Sequence, residues 1–245
     1  MADKPSSLAM FLRAAEENTR STFVRLPAFV DLLVRVNDTF ERATAAIAGT
    51  SDRTIYFVLG AQSSYLAGVR LAMSCHSIEC YKCARACLET AHYGLLVHRK
   101  PEAWTLWHDR HADEKSRKAV GRTFSVTNIN RNHLQPRDGQ LAEIALDLHE
   151  RSIDFGAHFN VMAWGAAFKI VDREAGLAEM QVLTSDEREI KLSLHFLAMT
   201  AVAALRVLAL AFEAEFRSAG LDTDLRALSL ACSDLFVAEI DFVAE

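Results

Sequence analysis

The chain has 245 residues, of which 51% are hydrophobic and 24% are charged, and its formal net charge is -5. A chain of this length can bury a core without disulfides or metals, so we expect one domain over residues 1–245. Ten Gly and four Pro are too few for a turn-rich β-sandwich. The acidic balance also excludes the overall basicity of a typical nucleic-acid-binding domain.

The first twenty residues lack an apolar segment followed by a small-residue cleavage site. We therefore expect a cytoplasmic protein, in which the five cysteines stay reduced. The apolar run at 196–205 is too short to span a bilayer, so we interpret it as part of a buried core helix and expect no membrane partner.

Apolar residues recur at spacings of three and four along most of the chain, which is the helical period. Pro27 suits a helix first turn, and Gly49 suits a helix end. The first half is predicted to form helices over 7–18, 27–48, 52–74 and 76–99, a short helix after Pro101, and another over 113–122.

The second half changes character twice. Residues 124–139 are polar and rich in Asn, so we predict a loop there. Apolar and polar residues alternate around "DREAG", which predicts a β-hairpin near 167–183 or, as the alternative, a frayed helix. The remaining predicted helices cover 140–158, 185–218 and 223–243, giving an all-α, multi-helix antiparallel bundle.

Four residues with soft or imidazole side chains share one face of the fourth predicted helix: His76, Cys80, Cys83 and Cys87. Thiolates with an imidazole could bind Cu(I) or Zn, and the spacing superficially resembles that of cysteine-rich copper-storage bundles. One helix offers only two adjacent ligands to a tetrahedral ion, and Cys75 lies off the stripe. We therefore favour thiols that pack in the core, and predict no metal site and no cofactor.

Two further stripes each place a cation, a carboxylate and an imidazole along two turns of a helix. The first comprises Arg85, Glu89 and His92, and the second comprises Arg151, Asp154 and His158. Apolar residues surround both, and buried charges are costly unless they are paired. We expect the two stripes to face each other in one polar network.

Both stripes also contain Arg, six residues and then His, and here the chain resembles the HEPN superfamily of helical bundles. The resemblance implies metal-independent RNA cleavage. It assigns phosphate stabilisation and proton transfer to Arg151 and His158, or else to Arg85 and His92. If Arg151 and His158 carry the roles, Arg85 and His92 would surround that site or form a second one. A guanidinium suits phosphate oxygens, and imidazole titrates near neutrality. Asp154 would orient His158, and Glu89 would support the second set.

Two alternatives to catalysis remain open: a purely structural polar core, and ligand binding without chemistry. An interaction or ligand-sensing module would use the same stripes only for packing. In HEPN nucleases two protomers often meet at the site. The long apolar helices likewise lead us to expect a homodimer.

One local segment, residues 99–137, carries nine Lys or Arg against four acidic residues. Basic residues with interleaved aromatics can bind phosphates and stack on bases, so RNA or a nucleotide is a candidate ligand. The alternative is a solvated helix face whose tryptophans anchor a short helix. The candidate ligand-binding residues are Trp107, Arg110, Arg122, Arg131, His133 and Arg137.

Overall fold

The computed structural model describes residues 6–48, 50, 53–157, 168–172, 177–180 and 182–240. These residues form a helical bundle with one small hairpin, which confirms the predicted all-α class. The first half contains α1 (Ser7–Arg25), α2 (Pro27–Ile47), α3 (Ile55–Met73), α4 (Ser77–Arg99), α5 (Glu102–His108), α6 (Glu114–Thr123) and α7 (Val126–Ile129).

The second half supplies the helices around the candidate site. A π-helical turn at Asn130–Leu134 continues α7, and a second one at Ile153–Ala157 continues α8. The elements are α8 (Gly139–Ser152), β1 (Phe168–Asp172), β2 (Leu177–Met180), α9 (Glu187–Ala209), α10 (Glu213–Ser218) and α11 (Leu221–Glu239).

The hairpin predicted near 167–183 is confirmed. Its strands are antiparallel, with Phe168 opposite Met180 and Ile170 opposite Ala178. The register shifts between Ile170 and Asp172, as at a β-bulge. The frayed-helix alternative is therefore wrong for the two strands.

Helix α9 lies at the centre of the bundle and packs against α2, α3, α4, α8 and α11. Gly68 of α3 approaches it so closely that an added Cβ would lie 2.7 Å from Leu197 Cδ1. Within the described residues, α9 is the helix long and apolar enough to cross a membrane, but 78% of its apolar window is buried inside the protein. This burial agrees with the predicted core helix.

The predicted loop at 124–139 is wrong, because this segment is largely helical. Val126, Ile129 and Leu134 are buried on one side of α7 and its π-helical turn. The buried Asn130 donates a side-chain hydrogen bond to the Ala142 carbonyl at 3.0 Å, which ties the turn to α8. The Asn-rich sequence conceals the helix because Asn130 bonds to α8, whereas the Asn128 and Asn132 side chains bond locally to neighbouring residues.

Two predicted helix boundaries also differ from the structure. The long helix predicted over 185–218 is interrupted after Ala209, where the Leu208 carbonyl accepts from both Ala211 and Phe212 amides in a closing turn. Helix α1 runs seven residues beyond the predicted end, up to Arg25. It ends at Leu26 because a residue before proline disfavours the helical conformation.

Candidate functional site

The candidate site begins where α4 meets α8 and its π-helical turn. Gly156 in that turn lies against the N-terminal part of α4, and an added Cβ would come within 2.3 Å of the Ile78 carbonyl oxygen. Only glycine therefore permits this approach of the two backbones. The approach brings polar side chains of α4 and α8 into one interface.

Among the described residues, the polar network at this interface includes Arg85, Glu89 and His149. Arg85 Nε donates to Glu89 Oε1 at 2.7 Å, and His149 Nε2 donates to the same oxygen at 3.1 Å. Burial alone would raise the pKa of Glu89, but the hydrogen bonds from His149 and Arg85 outweigh it and lower that pKa. Glu89 is thus held as a carboxylate whose Oε1 accepts from two donors on two helices.

His92 lies behind this network rather than in it. Its ring is fully buried, and Nδ1 donates to the Leu88 carbonyl at 2.8 Å. Burial lowers the pKa of His92 to about 4, helped by the nearby His149, so the ring is neutral at pH 7. Its Nε2 is buried without a hydrogen-bond partner in the described structure. A ring in this position contacts no substrate from solution.

The second predicted stripe does not join the network as expected. Arg151 lies exposed on α8 and pairs with Asp147, at 2.9 Å between Nε and Oδ2. Asp154 is exposed on the π-helical turn, and His158 lies outside the described residues. The expectation that the two stripes meet is therefore wrong for Arg151, since His149 takes its place against Glu89.

Sequence reasoning missed His149, although a signal exists. Leu141, Ala145, Leu148 and Ser152 are all buried on the inner face of α8, and His149 falls within that stripe. A histidine in an apolar stripe requires a partner on the facing helix. Its Nδ1 is buried and unpaired among the described residues, with Glu150 Oε1 3.8 Å away.

The candidate ligand-binding residues of the basic segment do not form one site. Trp107 packs edge-on against Phe57, with 5.3 Å between ring centroids, and Arg110 covers its ring at 5.0 Å. The Trp107 ring is therefore already covered, and it anchors α5 in the core. This agrees with the alternative in which the tryptophans anchor a short helix. Arg122 and Arg131 lie exposed at separate points of α6 and the π-helical turn.

His133 and Arg137 belong to a cationic corner, which we define as Arg99, Lys100, His133 and Arg137. Arg137 pairs with Glu213, and Arg99 lies 3.8 Å from the same carboxylate. Burial lowers the pKa of His133, and the charges of Lys100 and Arg99 lower it further. Glu213 thus balances only part of the positive charge at this corner.

The thiols of the cysteine stripe are packing groups. Cys80 and Cys87 are fully buried, and burial raises the pKa of both well above the ordinary value. Cys80 directs its sulfur at the Ser193 carbonyl, 3.7 Å away. Among the described residues, no three His, Cys, Asp or Glu side chains are placed to hold a metal ion.

An open groove of about 840 Å³ runs between α8 and α11 over α9, and sequence reasoning did not find it. Its walls are mostly apolar, and its charged residues come from α8 and the end of α9. A smaller cavity of about 180 Å³ adjoins it, and Tyr81, Phe155 and Leu192 line both. The apolar groove residues are Ile144, Leu148, Phe155, Leu192, Phe196, Met199, Val202, Ala203, Phe236 and Val237.

His195 is the buried polar group of this groove. Its Nε2 donates to the Cys232 carbonyl at 2.9 Å, so the Nδ1 lone pair remains as an acceptor. Burial lowers the pKa of His195, against the opposing effect of that carbonyl, and the neutral ring is favoured. The groove therefore combines an apolar surface with the His195 acceptor, the Ser229 and Ser233 hydroxyls, and the charged residues of α8 and the end of α9.

Comparison with known proteins identifies no matching family model, no matching curated protein and no matching solved structure.

Proposed function

We propose that this protein is a ligand-binding helical bundle that takes a small, largely apolar molecule in the groove between α8, α9 and α11. The groove itself carries this proposal. Small-molecule sites are concave, mostly apolar cavities of roughly 300–1,000 Å³ with few polar groups, and this groove matches that description in volume and lining.

The length of the groove supports an elongated ligand. It follows α9 from Leu192 to Arg206, which is about 21 Å along a helix axis. Charged side chains lie on α8 and at the α9 end, whereas Met199, Phe196 and Val202 line its course. A molecule with an apolar body and a hydroxyl or amide donor would match the apolar walls and the His195 acceptor.

The hydrogen bonds within the polar network argue against a catalytic role for it. Arg85 and His149 both donate to Glu89, and His92 is enclosed. Arg85 Nε and His149 Nε2 are therefore already directed at a carboxylate of the protein and not at an external phosphate. The non-enzymatic alternative therefore suits them better than a second catalytic site.

The test is the binding of a neutral fluorescent probe, N-phenylnaphthylamine, measured by its fluorescence increase. Met199→Glu places a carboxylate on the groove wall and should weaken binding at least about tenfold, equivalent to about 1.4 kcal/mol. Val34→Glu, at an exposed apolar residue of α2, is the matched control and should bind as the wild type does. Equal binding by all three proteins would refute the proposal.

A second candidate function is RNA or nucleotide binding at the cationic corner. The observation that favours it is the surplus of positive charge around Glu213, because phosphates bind where cations outnumber carboxylates. Lys100→Gln with Arg137→Gln should weaken oligouridylate binding in fluorescence anisotropy and reduce its salt dependence. Lys118→Gln, an exposed lysine of α6, is the control. A double variant with wild-type affinity would exclude the cationic corner as the RNA-binding site.

The HEPN-like hypothesis goes one step further and predicts RNA cleavage in the presence of a chelator. On that hypothesis cleavage requires Arg151 and His158, so Arg151→Gln and His158→Ala should each abolish it, while the surface control Lys118→Gln leaves it intact. Cleavage that survives His158→Ala would contradict this assignment. RNA binding without any cleavage would support a binding role alone.

A further inference from the structure

The outer face of α3 has an unusual composition for a surface. Arg70 is the only charged residue of the helix, and none lies between Ile55 and Val69. Helices that are apolar on every side are normally covered on every side. Yet Tyr56, Leu59 and Leu66 are 62%, 44% and 47% exposed.

These residues belong to one continuous strip, the α3 strip, which consists of Tyr56, Leu59, Ser63, Leu66 and Ala67. Helix α4 runs antiparallel beside it at close range: added Cβ atoms at Gly60 and Gly68 would lie 3.1 Å from Thr90 Cγ2 and Cys83 Cβ. From Cys83 to Tyr93 the neighbouring outer residues of α4 are uncharged as well, namely Cys83, Ala86, Thr90 and Tyr93. The exposed ion pair of Glu79 and Lys82 lies beyond Cys83, toward the N-terminal end of α4. Between Arg70 and Tyr56 the two helices therefore present an uncharged surface.

The strip is self-complementary about Ser63. Tyr56 lies seven residues before Ser63 and Arg70 seven residues after it, and seven residues are close to two helical turns. Leu59 and Leu66 flank the centre on either side. If a second copy packs antiparallel about a two-fold axis at Ser63, each Leu59 meets the partner's Leu66 and Ala67.

In the same antiparallel arrangement, the Arg70 end of one α3 strip meets the Tyr56 end of the other. Within its own chain, Arg70 Nη1 donates to Thr19 Oγ1 at 3.3 Å. In the dimer the guanidinium also comes to the partner's Tyr56, an exposed ring already stacked on Trp104, where a cation–π contact forms. The two Arg70 side chains of such a dimer lie about 21 Å apart, well beyond the screening length of about 8 Å. Like charges are therefore kept apart, and the uncharged centres meet.

We propose that the α3 strip, flanked by α4, is the interface of a symmetric homodimer in which two α3 helices pack antiparallel about Ser63. The occupant of this face is a second copy of the chain, because the pattern of aromatic, leucine, small residue, leucine and arginine is complementary to its own reversal. The inference is independent of any ligand in the groove.

Light scattering after size-exclusion chromatography tests the dimer over a dilution series. The wild type should show the mass of two chains. Leu66→Glu should raise the dimer dissociation constant at least about 30-fold, because an unpaired carboxylate cannot be buried cheaply. Leu230→Glu replaces a leucine of α11 that is 65% exposed and lies off the strip, and it should remain dimeric. Circular dichroism verifies that each variant is folded.

Cross-linking tests the geometry even if Leu66→Glu fails to fold. Near a two-fold axis, two copies of residue 63 come within disulfide range, about 4 Å between Cβ atoms. Ser63→Cys in a Cys83→Ser background should therefore form a covalent dimer under mild oxidation, whereas Leu230→Cys should not. A wild-type monomer at every concentration, a dimer that persists unchanged in Leu66→Glu, or a dimer without the Ser63→Cys cross-link would each overturn the proposal.

Discussion

The two histidines at the α4–α8 interface have different hydrogen-bond partners. His149 donates to a carboxylate, whereas His92 is enclosed and has only a carbonyl as partner. A buried base without a counterion resists protonation, because the charged form loses its hydration. Protonation of His92 therefore destabilises the fold.

This environment predicts a pH dependence of stability. The pKa of His92 is about 4 in the folded protein and about 6.5 in an unfolded chain, so the unfolded state binds the proton more readily. Stability is then complete above pH 6.5 and is lost as the pH falls toward 4. The loss due to His92 should reach about 2 kcal/mol at pH 5.

Urea unfolding between pH 8 and pH 5 measures this loss. His92→Asn retains a donor for the Leu88 carbonyl and removes the titrating ring, so its free energy of unfolding should vary less with pH than that of the wild type. His111→Asn, at an exposed histidine, should retain the wild-type slope. Parallel pH profiles for all three proteins would show that His92 is not the titrating group.

At the scale of the element, the junction between α8 and α4 depends on a single missing side chain. The added Cβ of Gly156→Ala would lie 2.3 Å from the Ile78 carbonyl oxygen, which is backbone and cannot move aside alone. We expect a loss of about 1–3 kcal/mol in the free energy of unfolding, typical of overpacking.

The matched control for Gly156→Ala is Gly121→Ala in α6. An added Cβ there meets nothing within 4 Å. Since alanine is the better helix former, this variant should gain up to about 1 kcal/mol. Thermal melting distinguishes the two, and a Gly156→Ala variant as stable as Gly121→Ala would show that the junction relaxes freely.

The sequence predicted most helices because their buried residues recur at the helical period, as in α2 and α9. It could not predict the helix within 124–139, since the buried polar Asn130 interrupts the apolar pattern in order to bond to α8. The hydrogen bond between Glu89 and His149 could not be predicted from the sequence either, because it depends on the rotation of α8 relative to α4. The groove depends on the distances between three helices, and local sequence patterns do not determine those distances.

At the scale of the whole molecule, two apolar clusters share one helix. Leu88 and Leu95 of α4 lie in the main core, whereas Leu96 and Val97 lie in a second cluster with Phe57 and Phe124. Trp104 and Trp107 pack against that second cluster. Because α4 runs through both, neither cluster can lose its structure without exposing part of the other.

This arrangement predicts one cooperative unfolding transition, as the expectation of a single domain requires. In a Trp164→Phe background, tryptophan fluorescence reports on Trp104 and Trp107, and far-ultraviolet circular dichroism reports on all helices. The two midpoints in urea should coincide. A fluorescence transition at lower urea than the loss of helix would instead identify the second cluster as a separately unfolding unit.

The burial of the thiols has a practical consequence for spectroscopy. Cys75, Cys80, Cys87 and Cys232 are buried, and Cys83 alone among the five is partly open to solvent. A maleimide reagent should thus modify Cys83 first in the native protein. Since Gly68 holds this residue beside the α3 strip, a spin label attached there would report distances across that face in solution without any engineered cysteine.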